Sequence, residues 1–240
     1  MSGKKSVLVI CNSAAGQMYL GVLLSRIWYT ASLVKNAAEG VHMARDKAFS
    51  LIILDGDLSD EELYNSVSLL RSDDSLKHTP LVVFIAQERA KIKDNLVARG
   101  CSAVVTKPLD ISIVYGVLSR LSGQVRAAPR IPVRFRVEMY ADDTMKILTC
   151  TNLSEGGMYL RTHDPLPEGT KIRLSFRLPK DTEVNTLDGE VIRTIKLGHE
   201  VEFEPGMGVR LIDPPEQFRQ RIRNFVQWEL MGDLEWETSL

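Results

Sequence analysis

The hydrophobic pattern of the chain changes its period near residue 126. Before that point, short apolar runs such as VLVI (7–10) and LIIL (51–54) alternate with longer segments of helical spacing. Uninterrupted apolar runs indicate strands that are buried on both faces, and their alternation with helices indicates a parallel sheet between two helical layers. The first half is therefore predicted to be an α/β domain.

The same pattern gives the individual elements of the first half. Two further strands are predicted at 81–86 and 103–105, and helices at 18–25, 37–47, 60–71, 92–99 and 113–121. Strands and helices in this alternation are expected to be joined by right-handed crossovers.

After residue 126 the apolar residues recur at every second position. Strands of this type are separated by Gly, Pro, Asn and Asp, which is typical of an antiparallel barrel or sandwich. The predicted strands are 134–140, 145–153, 157–162, 171–178, 187–195, 199–204 and 206–212, followed by a helix at 215–231. Small residues and proline at 122–130 indicate a linker, so we predict domains at 1–122 and 123–240.

The composition excludes several functional classes. Of the 240 residues, 44% are hydrophobic and 25% charged, and the net charge of −1 argues against bulk electrostatic binding to nucleic acid or anionic membrane. No apolar run approaches the roughly 20 residues that span a bilayer, so we expect a cytoplasmic protein. The three cysteines are isolated and odd in number, which predicts neither a metal site nor a disulfide framework.

Two charged residues in the first half stand at the ends of predicted strands. Asp55 ends LIILD (51–55), and Lys107 follows VVT (104–106). Chemistry in a parallel α/β sheet belongs at the carboxyl ends of the strands. On these two segments the first half resembles the receiver domain of response regulators. The resemblance implies a five-stranded flavodoxin-like sheet and, in intact members, Mg²⁺-dependent phosphorylation of the aspartate.

Several residues that phosphorylation requires are missing. Where the family holds Mg²⁺ with an acidic pair after the first strand, this chain has Cys11 and Asn12. The hydroxyl residue that ends the fourth strand in the family is Ile85 here, and the aromatic switch residue is Val104. We therefore predict a pseudo-receiver without bound Mg²⁺, which serves for dimerisation or partner docking. Phosphorylation of Asp55, assisted by Lys107, is the alternative.

The second half opens with RAAPRIPVR (126–134), which spaces three arginines at four-residue intervals beside two prolines. A guanidinium group offers paired donors to phosphate or to the O6 and N7 atoms of guanine. Downstream, NLSEGG (152–157) places Asn152 and Ser154 on alternate strand positions, so both side chains are expected to project from one face. Gly157 allows a close approach of backbone or ligand. These residues predict a site for a phosphorylated purine.

At these residues the second half resembles the PilZ family, which carries R-x-x-x-R in an N-terminal linker and [D/N]-x-S-x-x-G on a barrel strand. Arg126 and Arg130 match the first motif. The second is matched by Asn152, Ser154 and Gly157, and DGEVIRTI (188–195) and GMGVRL (206–211) are also family-like. The resemblance implies a six-stranded barrel with a C-terminal helix that binds cyclic di-GMP.

Two features of this site are left open by the sequence. Arg130 and Arg134 also satisfy R-x-x-x-R, so Arg134 is a possible additional ligand contact. The family arginine that often precedes the motif is Val125 here, which leaves the stoichiometry at one or two ligands per site.

The leading functional hypothesis is a non-enzymatic signalling adaptor that binds cyclic di-GMP. Capture of the ligand by the linker arginines is expected to change the interdomain arrangement or partner binding. Nucleic-acid binding by the arginine-rich segment is the alternative from another class. No paired carboxylates and no nucleophile–base pair stand out, which argues against an enzyme.

Overall fold

The computed structural model describes residues 5–123, 128–142, 144–197 and 204–232. They form two compact units, the first from residues 5–123 together with 230–232 and the second from residues 128–229. The domain boundary placed after residue 122 stays a prediction, because residues 124–127 lie outside the described ranges. None of the helices in those ranges combines the length and the apolar character that crossing a bilayer requires.

A five-stranded parallel sheet forms the centre of the first unit. Its strands are β1 (Lys5–Ile10), β2 (Tyr29–Val34), β3 (Leu51–Asp55), β4 (Leu81–Ala86) and β5 (Ala103–Lys107). Around it lie α1 (Ala14–Arg26), α2 (Ala37–Ala44), α3 (Asp60–Ser72), a 3₁₀ helix (Gln87–Ile92), α4 (Lys93–Ala98) and α5 (Ile111–Leu121). The strand order β2-β1-β3-β4-β5 is the flavodoxin-like order, so the predicted fold class is confirmed for this unit.

The apolar runs form the core of this sheet. Leu8 in β1, Ile53 in β3 and Val83 in β4 have no exposed surface, as expected for strands covered on both faces. β2 was missed by the apolar pattern because it lies at the edge of the sheet, where the middle of YTASLV is partly exposed.

Short polar residues fix where the helices begin. At α3 the Ser59 hydroxyl accepts the backbone N–H of Glu62 at 3.3 Å, while the Glu62 carboxylate accepts the backbone N–H of Ser59 at 3.0 Å. This capping box satisfies two backbone donors that the helix itself leaves unpaired. Asp110 accepts from the backbone N–H groups of Ser112 and Ile113, which starts α5 two residues before the predicted position.

The second unit is a closed antiparallel barrel in the order β10-β11-β8-β7-β6-β9. Its strands are β6 (Ile131–Ala141), β7 (Thr144–Ser154), β8 (Gly157–Arg161), β9 (Lys171–Phe176), β10 (Asn185–Ile195) and β11 (Gly206–Leu211), and α6 (Glu216–Met231) follows. The predicted six-stranded barrel with a terminal helix is confirmed. The strand predicted at 199–204 lies almost wholly outside the described residues.

Aromatic side chains join α6 to the barrel core. The ring of Phe176 stacks on Phe135 at 5.8 Å between centroids and meets Phe218 of α6 edge-on at 5.9 Å. Ile222 and Val226 of α6 are also buried. The helix therefore completes the apolar interior of the barrel and holds the strands that carry the predicted site.

Candidate functional site

Asp55 and Lys107 are in contact at the carboxyl ends of their strands. The Lys107 ammonium donates to Asp55 Oδ1 and to Asp57 Oδ2, each at 2.7 Å, and Asp55 is only 8% exposed. Burial alone would lower the pKa of Lys107, but the hydrogen bonds to both carboxylates outweigh it and raise the pKa above its ordinary value. The lysine therefore remains charged and offsets part of the negative charge of the two carboxylates.

The second oxygen of Asp55 faces Cys11 in the turn after β1. The Cys11 thiol donates to Asp55 Oδ2 at 3.3 Å, and burial raises the pKa of this thiol to about 11. The thiol is therefore neutral at pH 7. Ile85, at the end of β4, is completely buried and offers no hydrogen-bond donor. Among the described residues there is no group of three or more His, Cys, Asp or Glu placed to hold a metal ion.

The barrel brings Arg130 next to the segment that carries Asn152 and Ser154. Arg130 directly precedes β6, whose first residues pair with the end of β7, Ile131 opposite Leu153 and Pro132 opposite Asn152. Arg130 and Asn152 are both exposed. Adjacent strands lie about 4.8 Å apart, so both side chains can reach one small ligand.

Ser154 and Gly157 serve the hairpin between β7 and β8. The two residues pair across a two-residue turn, and the Ser154 hydroxyl donates to the Gly157 carbonyl at 3.2 Å. Ser154 is 7% exposed whereas Asn152 is exposed, so the Ser154 hydroxyl is much less accessible than the Asn152 amide. The register shift between Cys150 and Asn152 lies before this segment, and the pairing from Asn152 to Ser154 is regular.

Two predicted ligand contacts remain, and the structure describes only one of them. Arg134 is exposed on β6, within the register shift between Pro132 and Phe135. Arg126 lies outside the described residues. The assignment of both arginines to a ligand stays a prediction.

Two contacts beside this segment were not foreseen. Glu155, in the hairpin turn, pairs with Arg223 of α6 at 2.6 Å. Tyr159 lies opposite Asn152 on β8, and its hydroxyl donates to the Glu204 carbonyl at 2.7 Å. The partners are 68 and 45 residues apart, and no local spacing in the sequence indicates such long-range pairs.

The fold and these contacts define a two-domain chain. The parallel sheet, with a buried aspartate at the end of its third strand and a lysine at the end of its fifth, is receiver-like. The closed six-stranded barrel with its terminal helix is the architecture that the PilZ resemblance implied. Residues 124–228 match the family model described as PilZ domain. The chain therefore carries a receiver-like unit followed by a segment, residues 124–228, that matches the PilZ family model.

The first half is also similar to known response regulators. The polar-differentiation response regulator DivK of Brucella anthropi is 23% identical over 107 residues, which cover 45% of this chain and 87% of the relative. DivK of Brucella ovis is 22% identical over the same length and with the same coverage.

Two solved structures are similar to the first unit. The receiver domain of sensor histidine kinase PA1611 from Pseudomonas aeruginosa PAO1 is 19% identical, covering 51% of this chain and 99% of that chain with a TM-score of 0.45. Chemotaxis response regulator CheY4 of Vibrio cholerae is 19% identical, covering 49% and 98% with a TM-score of 0.42. The receiver-like assignment rests on the strand order and on the similarity to DivK.

Proposed function

We propose that the PilZ domain binds cyclic di-GMP and that the protein is a non-enzymatic signalling adaptor. The family match supports this ligand, and the observation that carries the proposal is the β6–β7 register, which pairs Pro132 with Asn152 and so brings Arg130, two residues earlier, next to the segment that carries Asn152. The Arg130 guanidinium offers paired donors to a phosphate or a guanine edge, and the Asn152 amide offers both a donor and an acceptor. Arg126 and Arg134 are proposed as further cationic contacts.

Ser154 and Gly157 have an indirect part in this proposal. The Ser154 hydroxyl closes the β7–β8 turn through the Gly157 carbonyl, and the Glu155–Arg223 pair ties the same turn to α6. A turn fixed in this way presents its backbone and Asn152 in one arrangement, which lowers the entropy lost on binding.

Titration calorimetry of the full chain with cyclic di-GMP tests the proposal. A site with several charged donors is expected to bind with micromolar affinity or better, about −8 kcal/mol. Arg130→Ala should weaken binding at least about ten-fold, because a hydrogen bond to a charged group contributes about 1.5–3 kcal/mol. Arg136→Ala is the matched control, since Arg136 is exposed on the same strand opposite Thr149. No heat from the wild type, or equal affinity in Arg130→Ala, would refute the proposal.

The linker arginines are proposed to couple ligand binding to the arrangement of the two domains or to a partner. Ligand that engages Arg126 and Arg130 restrains the segment between the domains, so the free and bound states differ in that segment. Trypsin cleaves after arginine, and we expect saturating cyclic di-GMP to slow cleavage after Arg130. The same digestion of Asn152→Ala should show a smaller effect. Equal cleavage rates with and without ligand in the wild type would contradict this mechanism.

The receiver-like domain is proposed to act without Mg²⁺ and without phosphorylation. Both oxygens of Asp55 accept hydrogen bonds, one from Lys107 and one from Cys11. Incubation with acetyl phosphate and Mg²⁺, followed by intact-mass spectrometry, should leave the mass unchanged. A gain of one phosphate that is lost in Asp55→Ala would establish the phosphorylation-responsive alternative instead.

A protein contact through α5 is proposed for the same domain. A cleft of about 540 Å³ lies between α4, β5 and α5. Two of its lining side chains are apolar and exposed, Val97 at 48% and Ile113 at 57%. Apolar side chains grouped around a cleft are typical of interaction surfaces. Sedimentation velocity should show a homodimer that Ile113→Asp dissociates, and a wild-type monomer at all concentrations would exclude self-association.

A further inference from the structure

A row of four residues crosses the outer surface of the barrel from the predicted site. Asn152 in β7 pairs with Tyr159 in β8, Tyr159 with Gly208 in β11, and Gly208 with Arg193 in β10. Residues directly opposite each other in an antiparallel sheet project from the same face. Val209, the neighbour of Gly208 in β11, is buried in the core. The row therefore faces outward, and it extends about 14 Å across three strand spacings.

Gly208 has no evident structural reason to be glycine. A Cβ built at this position meets nothing nearer than the Cβ of Arg193 at 3.6 Å, which is ordinary contact, and its φ lies outside the left-handed region. At Gly157 and Gly206, by contrast, a Cβ would come closer than 3.0 Å to a backbone carbonyl oxygen. Glycine inside a strand weakens it and often marks a point where a ligand or another backbone approaches closely. The described structure brings no backbone onto Gly208.

Two side chains border the bare surface at Gly208. On one side, the Tyr159 hydroxyl is held by the Glu204 carbonyl at 2.7 Å. Its ring passes over Gly206, where a Cβ would lie 2.8 Å from a ring carbon. On the other side Arg193 is exposed, at the start of a register shift in the β10–β11 pair. Gly208 thus forms a floor without a side chain between the held ring of Tyr159 and the long side chain of Arg193. We treat this surface as a shallow recess.

The recess has the chemistry of a guanine site. An arginine guanidinium donates in parallel to the O6 and N7 acceptors of guanine, whereas adenine presents an amino donor in place of O6. A flat base needs close approach to the sheet, which only a glycine floor permits. Burial raises the pKa of Tyr159, and the positive charge of Arg193 partly opposes this effect. Tyr159 and Arg193 lie on the two strands that flank Gly208, and both pair with it.

We propose that one guanine base of cyclic di-GMP lies over Gly208, between Tyr159 and Arg193, and that Arg193 selects guanine over adenine. This inference rests on the proposed function and extends its site from Asn152 across the barrel. The phosphates remain with Arg130, and the recess supplies the selectivity for the base.

Gly208→Val and Gly208→Ala test the floor of the recess. Since a Cβ has room at this position and branched residues suit strands, both variants should melt at or above the wild-type temperature. Calorimetry should show cyclic di-GMP binding weakened several-fold by Gly208→Ala and at least about ten-fold by Gly208→Val. Gly116→Ala in α5, where a Cβ likewise meets nothing within 4 Å, is the control for glycine replacement and should bind as the wild type does.

Arg193→Ala tests selectivity by comparing cyclic di-GMP with cyclic di-AMP. A bidentate arginine–guanine pair is expected to give about ten-fold discrimination or more, and Arg193→Ala should reduce it toward unity while Arg193→Lys keeps part of it. Full wild-type affinity in Gly208→Val would refute the proposal that guanine binds in this recess. Unchanged discrimination between the two dinucleotides in Arg193→Ala would refute it as well. If Arg130→Ala still weakens cyclic di-GMP binding in that case, the proposed function stands. A wild type that binds no cyclic di-GMP overturns both.

Discussion

Replacing Gly157 by alanine separates a structural role of this glycine from a role in ligand approach. A Cβ at position 157 would come closer than 3.0 Å to the Val209 carbonyl oxygen and would lie 3.3 Å from the Cα of Arg210. Both contacts are backbone atoms of β11, the strand that pairs with β8. They cannot rotate away as a flexible side chain could, so β8 and β11 must move apart.

The size of the effect follows from this clash. Overpacking of a well-packed interior costs about 1–3 kcal/mol, and we expect the upper end of that range because ladder hydrogen bonds lengthen as the strands separate. A unit of about 100 residues loses roughly 4–8 °C in melting temperature per kcal/mol. Differential scanning calorimetry of ligand-free Gly157→Ala should therefore show the barrel transition lowered by about 10–20 °C.

The neighbouring glycine provides the control. A Cβ at Gly156 meets nothing within 4 Å, so Gly156→Ala should stay within about 0.5 kcal/mol of the wild type. A Gly157→Ala barrel that melts within about 2 °C of the wild type, yet has lost cyclic di-GMP binding, would refute the structural reasoning. It would show instead that Gly157 is needed for the ligand.

Three further perturbations test the packing of each domain. Lys107→Met leaves Asp55 buried without its cation and should lower the free energy of unfolding in urea by about 3 kcal/mol. Because the pKa of Lys107 is raised above 10.5 in the folded state, this difference should be constant below pH 10.5 and shrink as the pH rises further. Ser59→Ala removes the cap of α3 and should cost about 1 kcal/mol by the same measurement. Phe218→Ala empties a site that is 3% exposed and should lower the stability of the barrel by about 3–5 kcal/mol, as followed by its calorimetric transition.

The sequence predicts those parts of the fold where burial and periodicity agree. β1, β3 and β4 are apolar without interruption because both faces are covered, and each was located within a few residues. The apolar pattern does not predict β2, because this strand lies at the edge of the sheet and its side chains are of mixed polarity. Helix starts depend on single capping residues such as Asp110, which the apolar period does not register.

The candidate site also has features that the sequence predicts and features that it does not. The motifs put Arg130 just before one strand and Asn152 on the next, and these two strands pair because a short turn joins them. The burial of Ser154 could not be derived from the motif, since its hydroxyl donates to the Gly157 carbonyl within the β7–β8 hairpin. Tyr159 and Arg193 flank the same position only because both pair with Gly208 of a third strand. No spacing along the sequence indicates this pairing.

The contacts around Asp55 support the proposal that the receiver-like unit acts without phosphorylation. An intact site holds a cation next to the aspartate to neutralise the charge of the incoming phosphoryl group. Here the Lys107 ammonium already bridges Asp55 and Asp57, while the neutral Cys11 thiol takes the remaining Asp55 oxygen. A divalent cation would have to compete for Asp55 and Asp57 oxygens that already accept hydrogen bonds from Lys107 and Cys11. Asp55 then has a structural part to play at the carboxyl edge of the sheet, as an acceptor for the partly buried ammonium group of Lys107.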